Sequence, residues 1–147
     1  MSQTEEFSKL LDKHQLKKTV PRLSVLSILK SRNAAVSQPE LEIIFGREID
    51  RVTLYRTLST FEEKGIIHKI LDLKGTANYA LCSDLCNNHQ HHNEHVHFNC
   101  TVCMGVYCLA TLPVPRLDMP AGYSPQNVNF LVYGVCKRCN EVASEAV

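Results

Sequence analysis

The residues able to do chemistry in this sequence are its cysteines and histidines. Cys100-Thr101-Val102-Cys103 and Cys136-Lys137-Arg138-Cys139 are two CxxC pairs, separated by the 32 residues from 104 to 135. A CxxC turn puts two thiolates on one side of a metal, and two such turns complete a tetrahedron. Four thiolates with no open position suit Zn²⁺ in a structural role. The competing reading of the same residues is free or disulfide-bonded thiols. The intervening segment is longer than in a simple zinc ribbon, so a small sheet must bring the pairs together. Asn127 to Val135 alternates and is rich in β-formers, which fits such a strand.

A second set of donors remains: Cys82, Cys86, His89, His91, His92, His95, His97 and Cys108. On a strand His95 and His97 point to the same face. Cys108 lies five residues beyond Cys103. Mixed imidazole and thiolate donors suit Zn²⁺, whereas iron(II) sensing typically recruits carboxylates as well. The local acids are only Asp84 and Glu94. His89, His91 and His92 read most simply as a solvated polar loop. His68 lies on an expected strand, where a histidine is more often structural than a ligand, but its neighbourhood here makes it a candidate.

A third set points to nucleic acid. Arg51-Val52-Thr53-Leu54-Tyr55-Arg56-Thr57 reads as a helix whose apolar residues face inward, leaving Arg51, Thr53, Tyr55 and Arg56 to reach a groove. Arginine can read guanine in bidentate fashion, and Thr or Tyr can meet a thymine methyl or a phosphate. Lys17, Lys18 and Arg22 are placed to hold backbone phosphates. A solvated charged face with a half-buried tyrosine accounts for the same helix, because helix-turn-helix spacing alone is permissive.

The elements that must position these residues follow from periodicity and caps. Phe7, Leu10 and Leu11 have helical spacing. Pro21 suits the first turn of a helix carrying Leu23, Leu26 and Leu29 on one face. Ser37-Gln38-Pro39-Glu40 has the form of a capping box, with Ser37 bonding the third amide and Glu40 reaching back. Leu41, Ile44 and Phe45 pack, and Gly46 ends that helix. Asp50 caps the next, in which Leu54, Leu58 and Phe61 share a face and Gly65 closes. Ile66 to Leu71 is β-like, Gly75 allows a turn, and Asn78 to Leu81 returns as the partner strand. Helices followed by a short hairpin make a winged helix. The fold class expected is α+β: a winged helix-turn-helix domain over 1–82 and a small α/β metal-binding dimerisation domain over 83–147.

The bulk numbers agree with two small units. The 147 residues suit one compact domain or two small ones, and cores that thin usually need a metal, a disulfide or a partner. Residues 1–75 carry 13 Lys/Arg and 10 Asp/Glu, while residues 76–147 carry 3 and 5. The asymmetry is too mild to identify a DNA-binding half by itself. All seven cysteines lie between 82 and 139. No signal peptide or membrane-length apolar run is evident, so a cytoplasmic location is expected, where such cysteines serve metal or redox chemistry. No HExxH or triad-like constellation is present, which argues against an enzyme.

Val20-Pro21-Arg22, Val52 to Leu58, His95 to Cys103 and the closing CxxC together resemble the ferric uptake regulator family, in order and spacing, over roughly residues 10–140. The resemblance implies a winged helix, a dimerisation domain, a structural four-cysteine zinc, and a regulatory metal near the hinge that favours the DNA-binding dimer. The family's regulatory site maps onto His95, His97 and the position of Cys108, where iron and peroxide sensors usually hold a carboxylate. Those sensors also take a histidine from the loop before the second helix of the helix-turn-helix, a place that here is Ala34-Ala35. The histidine of a further family site, near Val128, is missing as well. The zinc-uptake regulators of the family instead recruit a histidine at the start of the wing and a cysteine at its end. His68 and Cys82 match those places.

The expectation is therefore a zinc-sensing repressor that binds operator DNA as a homodimer, with no membrane association. Its regulatory zinc would be held by Cys82, one or both of His95 and His97, and Cys108 or His68. The alternatives are an iron-, haem-, thiol-redox- or peroxide-sensing regulator of the same family, or a zinc-storage module using the histidine-rich loop.

Overall fold

The computed structural model describes residues 2–32, 34–81, 96–109, 112–125 and 130–145. Cys82, Cys86 and the histidines from His89 to His95 lie outside the described residues. Four helices come first: α1 (Gln3–Lys13), α2 (Val20–Ser31), α3 (Gln38–Phe45) and α4 (Arg51–Glu63), with strand β1 (Val36–Ser37) before α3. Strands β2 (Ile67–Leu71) and β3 (Ala77–Leu81) follow, then β4 (Val96–Cys100), β5 (Val106–Leu109), β6 (Phe130–Gly134) and α5 (Lys137–Glu145). Among the described residues, no helix is long and apolar enough to cross a membrane.

The helix starts are where side chains accept the first orphan amides. Ser2, Thr19, Ser37 and Asp50 accept from Glu5, Arg22, Glu40 and Thr53 respectively. Gly46 ends α3 at φ 52°, a left-handed position that costs glycine little. Only half of the expected capping box forms. Ser37 takes the Glu40 amide at 3.2 Å, but the Glu40 carboxylate accepts from Arg32 instead, at 3.3 Å.

Helices and wing share one core. Phe7, Leu11, Leu26, Leu29, Leu41, Phe45, Leu54, Leu58 and Phe61 are buried together with Ile67 and Tyr79. The wing is a three-stranded sheet in the order β1-β3-β2, because Val36 pairs with Tyr79 across from the hairpin. A two-strand hairpin was expected; the third strand is too short to show a period. One expected orientation is reversed. Leu54 is buried but Val52 is 56% exposed. Two residues apart on a helix is a rotation of about 200°, so the two cannot share a face.

The second sheet has the order β5-β4-β6. The β4–β5 pairing is antiparallel and the β4–β6 pairing parallel. The expected strand before the second CxxC is thus present as β6. Helix α5, which opens on that CxxC, was not anticipated. Its first turn lies inside the metal motif, and its sequence has few apolar residues to mark a helical face. The two sheets approach each other directly. The Ala35 amide donates to the Val106 carbonyl at 2.7 Å, and the Leu73 amide donates to Asn99 Oδ1 at 3.2 Å.

Candidate metal centres

The first centre is assembled by strand register. In the parallel β4–β6 pair, Cys100 lies opposite Gly134, so Cys136 emerges beside Cys100 two residues later. The Thr101 amide and hydroxyl both donate to the Gly134 carbonyl, at 2.7 and 3.1 Å, and lock the two CxxC turns side by side. The donor atoms of Cys100, Cys103, Cys136 and Cys139 all lie within 4.8 Å of one another. Cys103 Sγ and Cys136 Sγ are 3.9 Å apart. A tetrahedron with Zn–S bonds of about 2.3 Å has edges of about 3.8 Å, so the spacing fits zinc.

The electrostatics point the same way. The amides of Val102, Cys103 and Cys136 each donate to Cys100 Sγ at 3.4 Å. Desolvation, the largest single influence, pushes the Cys100 thiol up, but the amides together outweigh it and bring it down to about 6. Cys139 is pushed up to about 12, first by its hydrogen bond with Cys136 and then by burial. Four sulfurs this close cannot all ionise unless a cation sits among them. The donor set and spacing therefore fit a closed four-thiolate zinc site, the arrangement the two CxxC pairs predicted.

The second cluster brings together His68, His97 and Cys108, whose donor atoms also lie within 4.8 Å of one another. His97 and Cys108 are direct partners across the antiparallel β4–β5 pair and so share a face. His68 comes from β2 of the wing. Its ring centroid is 5.5 Å from that of His97. Both imidazoles are buried, at 1% and 3% exposure. Two buried imidazoles and a half-buried thiol are donors that zinc accepts. Of the five residues expected at a regulatory site, these three meet. The other two, Cys82 and His95, lie outside the described residues.

Asn99 was missed by sequence reasoning. It is 1% exposed. It accepts from the wing at Leu73 while its own amide donates to the carbonyls of Gly105, at 3.3 Å, and Cys100, at 3.4 Å. A polar residue within an otherwise buried strand was the available signal.

The expected DNA-reading residues lie on or beside α4 and α2. Arg51 and Arg56 are exposed, and Thr53 and Tyr55 half-buried. Glu42 on α3, also missed, organises two of them. Its carboxylate accepts from the Tyr55 hydroxyl and pairs with Arg51 Nε at 3.3 Å. The Thr53 hydroxyl and amide donate to Asp50, which holds that carboxyl below its ordinary value, the hydroxyl bond being the larger cause. Lys17 and Lys18 are exposed beside the start of α2. Arg22 donates to the Lys17 carbonyl at 2.8 Å, and Lys18 pairs with Asp12 at 3.3 Å.

Comparison with known proteins places this architecture. Residues 13–111 match the ferric uptake regulator family. Over 129 residues the chain is 30% identical to the ferric uptake regulation protein of Vibrio cholerae, covering 82% of this chain and 81% of that protein. Among solved structures, a zinc uptake regulator complexed with zinc and DNA is similar with a TM-score of 0.70 and 22% identity, over 98% of this chain and 99% of that one. The Vibrio cholerae ferric uptake regulator is similar with a TM-score of 0.57 and 24% identity, over 87% and 98%. At these identities the structural likeness speaks for the fold.

Proposed function

The chain belongs to the ferric uptake regulator family, a family of metal-responsive transcriptional regulators rather than enzymes, and on that premise we propose that it is a cytoplasmic, zinc-sensing repressor that binds operator DNA as a homodimer. The observation that carries the reading is the cluster of His68, His97 and Cys108, with its thiol donor and its span from the wing to the second sheet. We place the boundary between a DNA-binding domain, 1–82, and a metal-binding dimerisation domain, 83–147, beside this cluster. The solved relative complexed with zinc and DNA supports the partner assignment.

The mechanism follows from where the ligands sit. His68 is fixed in β2, and His97 and Cys108 are fixed in β4 and β5. Bound zinc supplies a positive charge and a preference for tetrahedral donors. His68 can join His97 and Cys108 only when the wing is docked on the second sheet, with Leu73 bonded to Asn99 and Ala35 to Val106. Holding that geometry in both subunits sets the separation of two α4 helices against two half-sites. Metal and DNA then favour the same conformation, which is the condition for coupling. Cys82 and His95 remain candidate ligands from the segment between the two sheets. The four cysteines would hold a structural zinc that stays in place while the second site fills and empties, tying β4, β6 and α5 together.

The test is to select a duplex from a random-sequence pool with the zinc-loaded protein. Its affinity is then measured against buffered free Zn²⁺, Fe²⁺ and Mn²⁺. Tight binding at the lowest free metal with Zn²⁺ is expected. Activation by Fe²⁺ at lower free concentration overturns the zinc assignment while leaving the family membership intact.

Arg56 gives a second test. It is exposed on α4, more than a full turn past the Asp50 cap. Arg56→Ala is expected to weaken binding to the selected duplex by about 1–3 kcal/mol, the range for a bidentate base contact. A loss that is uniform across sequences assigns Arg56 to phosphate instead. Unchanged affinity and preference would show that this face of α4 does not read DNA.

A further inference from the structure

Tyr107 lies against the four-cysteine centre but is not one of its ligands. Its hydroxyl is 3.6 Å from Cys103 Sγ and donates to Cys136 Sγ at 3.9 Å. Those two sulfurs come from different CxxC turns. Tyr107 and Cys108 are adjacent on β5, so their side chains leave opposite faces of the sheet. Cys108 serves the second cluster, and Tyr107 reaches back over the first.

The local backbone makes room for this. A Cβ on Gly105 would stand 2.8 Å from Tyr107 Oη and 3.0 Å from Cε2 and Cζ. The 2.8 Å contact is shorter than real Cβ atoms show, so any side chain at residue 105 would shift the phenol from this place. Tyr107 also lines a groove of about 1370 Å³ between the wing and the second sheet, together with Cys103, Cys136 and Lys137. The groove is the open side of the centre, and the phenol stands on it.

We propose that Tyr107 is a positioning residue for the zinc thiolates, whose single hydroxyl proton is shared between Cys136 Sγ and Cys103 Sγ and protects them from electrophiles entering through the groove. This rests on the four-thiolate zinc reading given above. A thiolate attacks through a sulfur lone pair, and a donated proton engages that lone pair. Groups outside the ligand set commonly tune a metal site in this way. With hydrogen peroxide as the oxidant, one thiolate attacks a peroxide oxygen, the O–O bond breaks and a sulfenic acid forms. A second thiolate then displaces the sulfenic oxygen as hydroxide and forms the disulfide. With two protons taken up, the products are one disulfide, two waters and released Zn²⁺. The sulfurs lose two electrons and the peroxide gains them.

The experiment uses the full-length protein brought to one zinc per chain with a weak chelator. Zinc release is followed with a chromogenic chelator during exposure to hydrogen peroxide, and separately to iodoacetamide. Tyr107→Phe keeps the ring and removes the hydroxyl. It is expected to release zinc about 3- to 10-fold faster, the size that loss of one hydrogen bond allows, with unchanged zinc content and thermal midpoint. In the cobalt-substituted variant the sulfur-to-metal charge-transfer band should move to longer wavelength, because the sulfur is more electron-rich. Gly105→Ala, which displaces the ring, should reproduce the faster release, and adding it to Tyr107→Phe should bring little more. Release at the wild-type rate in Tyr107→Phe overturns the proposal. So does acceleration seen only in Tyr107→Leu, since that assigns the protection to the ring. A wild-type protein holding no zinc at the four cysteines overturns the zinc reading itself, and this inference with it.

Discussion

Replacing Cys136 with serine is expected to cost the protein both its tightly held zinc and the structure of its second half. The reason is the distribution of the core. Among the described residues, the large buried cluster draws on residues between Phe7 and Tyr79. Beyond Leu81, the buried apolar residues among those described are Val96, Cys100, Val106 and Cys136. Two of those four belong to the four-cysteine cluster, so little other apolar burial remains among the described residues to hold β4, β5, β6 and α5 together. A structural zinc supplies apparent binding energy of about 10–16 kcal/mol, as large as the whole stability of a typical domain. Cys136→Ser should therefore lose the dimer and elute as monomer or aggregate. The helical signal of α1 to α4 should largely survive, because that core does not use the metal. Cys139→Ser should do the same through the other end of the CxxC. Zinc analysis, size-exclusion chromatography and circular dichroism check this together. A dimeric Cys136→Ser protein with the wild-type thermal midpoint would contradict it.

Loss of the second cluster should have the opposite profile, with a retained fold and lost regulation. Cys108→Ser, His97→Ala and His68→Ala are each expected to lower zinc content from two to one per chain and to keep the dimer. Operator affinity in these variants should no longer depend on added zinc. The wild-type dependence to be lost is about 5- to 150-fold, the usual range for coupling between two sites. His68→Ala is the sharpest of the three, because His68 lies on the wing while the other two lie on β4 and β5. If His68 serves only packing, its alanine variant will keep two zinc ions and full zinc dependence. Cys108→Ser also tests metal choice. Removing the thiolate should narrow the preference for Zn²⁺ over Fe²⁺ and Mn²⁺, since the harder ions gain less from sulfur. Full zinc-dependent binding in both Cys108→Ser and His97→Ala would remove this cluster as the sensor.

Much of this protein was legible without coordinates, and for local reasons. Caps, periodic apolar residues and turn glycines act within a few residues of each other. They marked α2, α3, α4 and the β2–β3 hairpin near their observed bounds. The two CxxC pairs were legible because each is a complete two-ligand turn, needing only to meet the other. The family was legible because several short motifs kept both order and spacing. Tertiary structure alone decided what depends on partners distant in sequence. Whether His68 is a ligand candidate or a core histidine turns on the docking of β2 against β4, and no local pattern encodes that contact. The parallel register of β6, which sets Cys136 beside Cys100, is likewise a choice between sheet partners. The outward turn of Val52, the hold of Glu42 on Tyr55 and Arg51, and the place of Tyr107 over the sulfurs belong to the same class. A side chain's type is written in the chain, but its neighbours are set by how separately formed elements bury one another.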